Sequence, residues 1–404
     1  MVSKPNDLGE KSAPGGACNK GVPCAQAIPF LLFVVNVDWF FLSHRLPIAI
    51  AARNAGLRVA VAAADTGQSS SIRAAGIEFI PLPFSRSGTG LLQEVKSLSL
   101  LRRLYKRLRP DLIHHVTIKP VLYGSIAART LGPIPTINAI SGLGYMFSEG
   151  EQARKLRSII LKLYRVALGH SRSKVIFQNP DDASVLRRLG IVREEQIVLI
   201  RGSGVDCDLF RPSPKADTEP VLVLASRMLW DKGVGDFVEA ARIVRAEGVK
   251  ARFVLVGDSD EGNPTAIPRE QLQRWHDEGA VEWWGYRSDM HRVFGEAHIA
   301  VLPTFYPEGL PKVLLEAAAS GLPLIATDIP GCREIVRNGV NGILVQPRNV
   351  QELAEAMKRL IFDKELRQRF GEKAREIAVA EFSLDSVVRQ HLDLYSQLLG
   401  WPLR

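Results

Sequence analysis

Cysteine is scarce, with four in 404 residues: Cys18, Cys24, Cys207 and Cys332. Their spacings match no zinc pattern and so few thiols cannot frame a disulfide-built fold, so a reduced, cytosolic setting is expected. Long apolar runs are missing too. Residues 28–37 are apolar but are followed at once by Asp38, His44 and Arg45. A bilayer span needs about 20 apolar residues. The stretch therefore reads as a first buried strand, with no secretory signal ahead of it. Acidic residues are outnumbered, 43 Asp and Glu against 52 Lys and Arg, for a formal charge of +9. That balance favours anionic partners such as a nucleoside diphosphate, a lipid phosphate or a nucleic acid. No nucleic-acid motif is present, and no His/Cys/Asp cluster or Asp-x-Asp run sits in a loop suited to a metal.

What is present is an alternation of short apolar strands with amphipathic helices. It predicts an α/β protein with parallel sheets covered by helices on both faces. A chain of 404 residues exceeds the size at which one core stops growing, so two domains are expected. Residues 1–27, rich in Gly, Pro, Lys, Asn and Ser, read as a flexible leader. Residues 28–209 form the first expected domain. The periodicity fades after Gly204-Val205-Asp206, which places the boundary near Phe210, and strands resume at Val221. Within the second domain, residues 258–268 are polar and read as a flexible surface excursion. Residues 350–362, 364–376 and 384–399 read as helices.

The chain centres on Glu308 and Glu316. Residues 299–302 read as a strand, 303–311 as a loop, and 312–320 as a helix stopped by Gly321 and Pro323. Glu308 then lies in a loop at a strand's carboxyl end, where open α/β sheets bind ligands, and Glu316 on the next helix faces the same crevice. Two carboxylates there suit the hydroxyls of a polyol or a ribose. The plain alternative is a chance spacing, since helical Glu is usually solvated. Upstream, Arg227 and Lys232 flank a strand-to-helix turn, and with that helix start they suit a diphosphate.

In the first half, His44 reads as a residue at a helix start. Thr117 and Lys119 lie in a polar loop after a strand, before a helix at 123–128. Gly142 and Gly144 form a glycine-rich loop after the next strand. Residues 96–109 and 154–165 each mix cations with leucine or isoleucine at helical spacing. Such helices pack on a sheet, and can also lie on anionic lipid.

The Glu308-x7-Glu316 run, with Arg227-x4-Lys232-Gly233 and the Gly331-x-x-Glu334 segment, resembles the signature of family-four retaining glycosyltransferases of the GT-B fold. The runs His115-x-Thr117-x-Lys119-Pro120 and Ser141-Gly142-x-Gly144 resemble the subgroup that transfers N-acetylhexosamines or related sugars to polyprenyl-diphosphate-linked saccharides. The resemblance implies two Rossmann-like domains facing across a cleft, 28–209 for the acceptor and 210–380 for the nucleotide sugar, with a helix in 381–404 packing back on the first. It implies a UDP-sugar donor, with the diphosphate on Arg227 and Lys232, the sugar on Glu308 and the ribose on Glu316. Gly309, Leu310, Tyr286 and Arg287 would complete the donor side. His44, Thr117, Lys119, Gly142 and Gly144 would line the acceptor side. Metal and cofactor would not be required, and the enzyme would sit in the cytoplasm, peripheral on the inner face of an anionic membrane. A soluble acceptor, or a UDP-sugar epimerase of the same fold, is the alternative. One departure stands out: the family often carries a glycine-rich loop after its first strand, and this chain has Asn36-Val37-Asp38-Trp39.

Overall fold

The computed structural model describes residues 28–83, 91–143, 151–214 and 219–403. The leader 1–27 with Cys18 and Cys24, Gly144, the linker residues 215–218 and the side chains of Arg154, Lys155 and Arg157 lie outside that description.

Seven strands form the first sheet: β1 Phe30–Val37, β2 Arg58–Ala64, β3 Glu78–Pro81, β4 Leu112–Val116, β5 Thr136–Ile140, β6 Ser173–Phe177 and β7 Ile197–Leu199. They lie in the order β3-β2-β1-β4-β5-β6-β7, and every pairing is parallel. β1 is apolar on both faces because both faces are covered. Leu31, Phe33 and Val35 share one core with Ile48 and Tyr395, while Phe30, Leu32 and Val34 meet Leu101, Leu104 and Tyr105 on the other side.

The second sheet holds β8 Val221–Ala225, β9 Arg252–Val256, β10 Glu282–Trp283, β11 Ile299–Leu302, β12 Leu324–Thr327 and β13 Gly342–Val345. Their order is β10-β9-β8-β11-β12-β13, again wholly parallel. In each sheet the crossovers reverse direction beside the first strand, between β1 and β4 and between β8 and β11. The carboxyl ends of those strands open a crevice into which the following loops project.

The chain crosses between the sheets twice, and the crossings pair. Val205 N donates to Phe382 O (2.9 Å) and Leu384 N to Val205 O (2.9 Å). Arg201 bridges the pair, 2.9 Å from Glu381 and 3.2 Å from Glu334. Phe210, the expected boundary, already packs in the second core. The helix Lys364–Phe382 runs past its expected end at 376 to reach the second crossing. The last helix, Leu384–Leu399, returns to the first sheet and buries Val387, Leu394 and Tyr395 there. Three such side chains contribute roughly 5 kcal/mol or more of gross apolar burial.

Two loop expectations are corrected. Residues 258–268 are not a free excursion: Met228 N donates to Asp258 O (3.0 Å), Trp230 N to Thr265 O (2.8 Å) and Ile267 N to Met228 O (2.9 Å). Their backbone is paired, and Asp258, Asp260 and Thr265 turn their polar side chains to Arg269, Arg227 and Asp231. The expected polar loop before residue 123 is instead a π-helix, Pro120–Gly124, running into the helix Ser125–Arg129. Among the described residues no helix is long and apolar enough to cross a membrane.

Candidate functional site

The switch points collect the singled-out residues. Arg227 and Lys232 follow β8, Glu308 follows β11, the segment from Asp38 to His44 follows β1, Thr117 and Lys119 follow β4, and Gly142 follows β5.

Lys232 ends a short 3-10 helix, Trp230–Lys232, and forms an ion pair with Glu308, both side chains being 14% exposed. Thr304 Oγ1 lies 3.3 Å from Glu308 Oε1 and 3.1 Å from the Asp231 carbonyl. That carbonyl also accepts from the amides of Phe305 and Tyr306 (3.1 Å each), so the Glu308 loop is laced to the Lys232 turn. Lys232 Nζ stands 5.4 Å from the Tyr306 ring centre. Burial, then the charges of Glu308 and Asp231, push the Tyr306 hydroxyl pKa up, while Arg227 opposes them.

Arg227 pairs with Asp260 at 2.7 Å. It lines a cavity of about 540 Å³ with Glu316, Tyr286, Arg287, Met290 and, from the first domain, Trp39. Burial raises the Glu316 carboxyl pKa, and Lys312, 3.3 Å away, opposes it. Arg287 is held in a two-pronged pair with Asp289, 2.7 Å on each arm, so only its free edge faces the cavity. Glu308 is not among the lining residues. Glu316 thus lines the Arg227 cavity, while Glu308 rests on Lys232. The Leu310 side chain is turned into the second core, leaving its backbone for a ligand.

On the first-domain side, His44 ends rather than starts a helix, Asp38–His44. It stacks on Phe40 at 4.2 Å, and burial, with Arg45 and Lys312 adding to it, lowers its pKa to about 3, so it is neutral. Asp38 explains the departure after β1. It is buried and accepts from the amides of Trp39 (2.8 Å), Thr66 (2.7 Å) and Gln68 (2.9 Å), tying the ends of β1 and β2 together. Thr117 has φ 75, an outlier for a β-branched residue, and its hydroxyl is buried without a partner. Asn36 Oδ1 and Ser141 Oγ, at the ends of the flanking strands, share that condition. Strain and orphaned polar atoms concentrate at functional edges.

Sequence reasoning missed Trp39, Thr304, Tyr306, Asp260 and Asn179. Asn179 carried a signal, since Asn-Pro-Asp-Asp after a strand is a helix-cap pattern. Its amide reaches the other domain, donating to Gly309 O at 3.0 Å. Among the described residues no three His, Cys, Asp or Glu side chains gather as metal ligands.

Residues 31–179 match the family described as Glycosyl transferase 4-like, and residues 207–377 match Glycosyl transferases group 1. The chain is 29% identical over 381 residues to the Campylobacter jejuni N,N'-diacetylbacillosaminyl-diphospho-undecaprenol alpha-1,3-N-acetylgalactosaminyltransferase, covering 89% of this chain and 98% of that protein. It is 24% identical over 322 residues to an Escherichia coli UDP-Gal:alpha-D-GlcNAc-diphosphoundecaprenol alpha-1,3-galactosyltransferase, covering 76% of this chain and 81% of that one. The solved structure of Anabaena Alr3699/HepE in complex with UDP superposes with a TM-score of 0.72 at 21% identity, over 92% of this chain and 100% of that one; this likeness is one of fold. With a glycosyltransferase family matched on each domain and the paired parallel sheets in common, the chain belongs to the group 1, family-four-like glycosyltransferases and has the GT-B fold.

Proposed function

We propose that the protein is a retaining glycosyltransferase that moves a sugar, an N-acetylhexosamine or related hexose, from a UDP-sugar to a polyprenyl-diphosphate-linked saccharide in bacterial surface-glycan assembly. The observation that carries this reading is the near full-length match to the Campylobacter jejuni enzyme, whose name specifies a diphospho-undecaprenol acceptor.

In this reading the nucleoside lies in the cavity walled by Glu316, Tyr286 and Trp39, and Glu316 holds the ribose hydroxyls. The diphosphate takes Arg227 from Asp260 and draws Lys232 off Glu308, freeing that carboxylate for the donor-sugar hydroxyls. The bond from the anomeric carbon to the diphosphate breaks, the bond to the acceptor oxygen forms on the same face, and the acceptor proton passes to the departing phosphate oxygen. Neither glutamate acts as nucleophile, and the two cations meet the developing charge without a required metal. Thr117, Lys119 and Gly142 face the incoming acceptor. The deciding experiment offers the purified protein a panel of UDP-sugars against undecaprenyl-diphosphate-linked and soluble sugars. Lipid-linked product with free UDP supports the reading. Product only on soluble sugars, or donor conversion without UDP release, overturns it.

The strained Thr117 supplies a second expected result. Left-handed backbone costs a non-glycine residue about 1–2 kcal/mol, and glycine returns about 1 kcal/mol of that to chain entropy. Thr117→Gly should therefore melt at or slightly above the wild-type temperature while transferring sugar more slowly. Loss of stability with full activity would show the strain to be incidental.

We also place the enzyme on the cytoplasmic face of an anionic membrane. The helices Leu91–Leu108 and Glu151–Leu168 both pack on Ser125–Arg129. They expose Val95 (56%), Ile159 (60%) and Val166 (49%) among Lys96, Arg102, Arg103, Lys106, Lys162 and Arg165. Apolar contacts ringed by cations suit an anionic interface. Co-sedimentation with phosphatidylglycerol vesicles should fall steeply with salt and in the double variant K162E/R165E. Equal binding to neutral phosphatidylcholine vesicles would refute this placement.

A further inference from the structure

We propose that Asn179, braced by Asp182, is a positioning residue: it clamps the loop carrying Glu308 from the opposite domain, so that the donor-sugar compartment is complete only when the domains are closed. The proposal rests on the glycosyltransferase reading above. Asn179 is fully buried at the carboxyl end of β6. Its Oδ1 accepts from Asp182 N (2.8 Å), capping the helix Pro180–Arg188. A cap needs no more than that oxygen. Yet Nδ2 is also used twice, donating to Asp182 Oδ2 (3.0 Å) and, across the cleft, to Gly309 O (3.0 Å). Burial raises the Asp182 carboxyl pKa to about 6, and the Asn179 amide and the Leu143 backbone oppose it.

The space confirms how tightly these two jaws hold the loop. A Cβ on Gly142 would lie 2.7 Å from Gly309 N. A Cβ on Gly309 would overlap the Ser141 carbonyl oxygen and lie 2.5 Å from Gln178 Oε1. From behind, a Cβ on Gly331 would lie 2.6 Å from Glu308 O and 2.5 Å from Gly309 O. Only hydrogen at all three positions lets the Glu308 and Gly309 backbone run between Ser141, Gly142, Gln178 and Asn179 on one side and Gly331 on the other. The Glu308 side chain meanwhile meets Lys232 within its own domain. The carboxylate that faces the donor sugar is therefore aimed by one domain and held by the other. Opening the domains leaves the nucleoside cavity, built almost wholly from the second domain, able to bind UDP. It releases the loop that must meet the sugar, so an open enzyme holds its donor without cleaving it, and water gains little.

The test is Asn179→Ser, whose hydroxyl can still cap Asp182 N but which lacks the amide donor. The expected result is a melting temperature and a UDP affinity close to wild type, with kcat lowered about 10²-fold by the misplaced loop. Unchanged kcat, or a loss explained by lower UDP affinity alone, overturns the proposal. Should N179S not fold, Gly142→Ala, which wedges the neighbouring approach to Gly309 N, reads the same closure by small-angle scattering. With UDP present, G142A should show a larger radius of gyration than wild type, and equal radii overturn the clamp. The scattering comparison does not depend on turnover. A wild type that transfers no sugar would therefore sink the functional reading while leaving the clamp separately decided.

Discussion

Alanine in place of Lys232 is expected to lower kcat by about 10²–10³-fold, the usual cost of removing one preorganised group from a developing negative charge. The side chain is well placed for such an effect. It is 14% exposed, its carboxylate partner is equally sheltered, and Tyr306 covers one flank. A charge held in that setting needs no reorganisation when the diphosphate departs. Because Glu308 depends on the same pair, K232A also strands a half-buried carboxylate beside the donor. Glu308→Gln should cost less alone, and the double variant should fall well short of the sum of the two. The check is kcat and the donor KM from UDP release with saturating lipid-linked acceptor. A K232A enzyme within threefold of wild-type kcat would remove Lys232 from the proposed chemistry.

Acid should unfold the protein near pH 5. His114, His115 and His391 are fully buried, and His44 is covered by Phe40. His391 and His44 are lowered to about 3 and His115 to about 4, each chiefly by burial, and His114 well below the ordinary range by burial and its cationic neighbours. In the unfolded chain each titrates near 6.5. Below that pH the unfolded state binds more protons, so stability is lost as pH falls toward the folded values. Each histidine contributes about 1.4 kcal/mol per pH unit, and four together reach ~5 kcal/mol per unit against a total of about 5–15. Asp182, raised to about 6 by burial, offsets one of the four, and the raised carboxyls of Asp236, Glu316 and Glu334 slow the loss further down. Thermal melts between pH 7.5 and 5 should show a steep decline beginning near 6.5. A flat profile would mean that the histidines reach water without unfolding. His114 and His391 stack on each other and Tyr395 reaches His114 at 2.7 Å, so the terminal helix Leu384–Leu399 should be the first element to come free.

Much of this architecture was legible before folding. Strands such as Phe30–Val37 and Val221–Ala225 are continuous apolar runs because parallel strands are covered on both faces, and helical spacing between them set the alternation. The turns after β8 and β11 were legible for a related reason: glycines and prolines bounding short strands leave few ways to connect them. Residues 258–268 misled because polar composition reports neither which side chains find partners in the fold nor whether the backbone is paired. The segment from Asn36 to Arg45 hid a helix because its dominant force is Asp38 reaching Thr66 and Gln68 on the next strand's loop. The pairing of Arg227 with Asp260 and the reach of Asn179 to Gly309 join residues 33 and 130 positions apart. No local pattern encodes such a meeting.

Local pattern decided the two-sheet α/β architecture, the order of its elements and the turns on which Arg227, Lys232, Glu308 and Glu316 stand, because periodicity and turn chemistry act over a few neighbouring residues. Only tertiary packing decided that Lys232 rests on Glu308 while Arg227 rests on Asp260, and that Gly142, Gly309 and Gly331 bring two domains into backbone contact. Those outcomes depend on which loops the switch points of two sheets bring face to face. That is a property of the closed molecule, because the distances concerned exist only once both cores have formed.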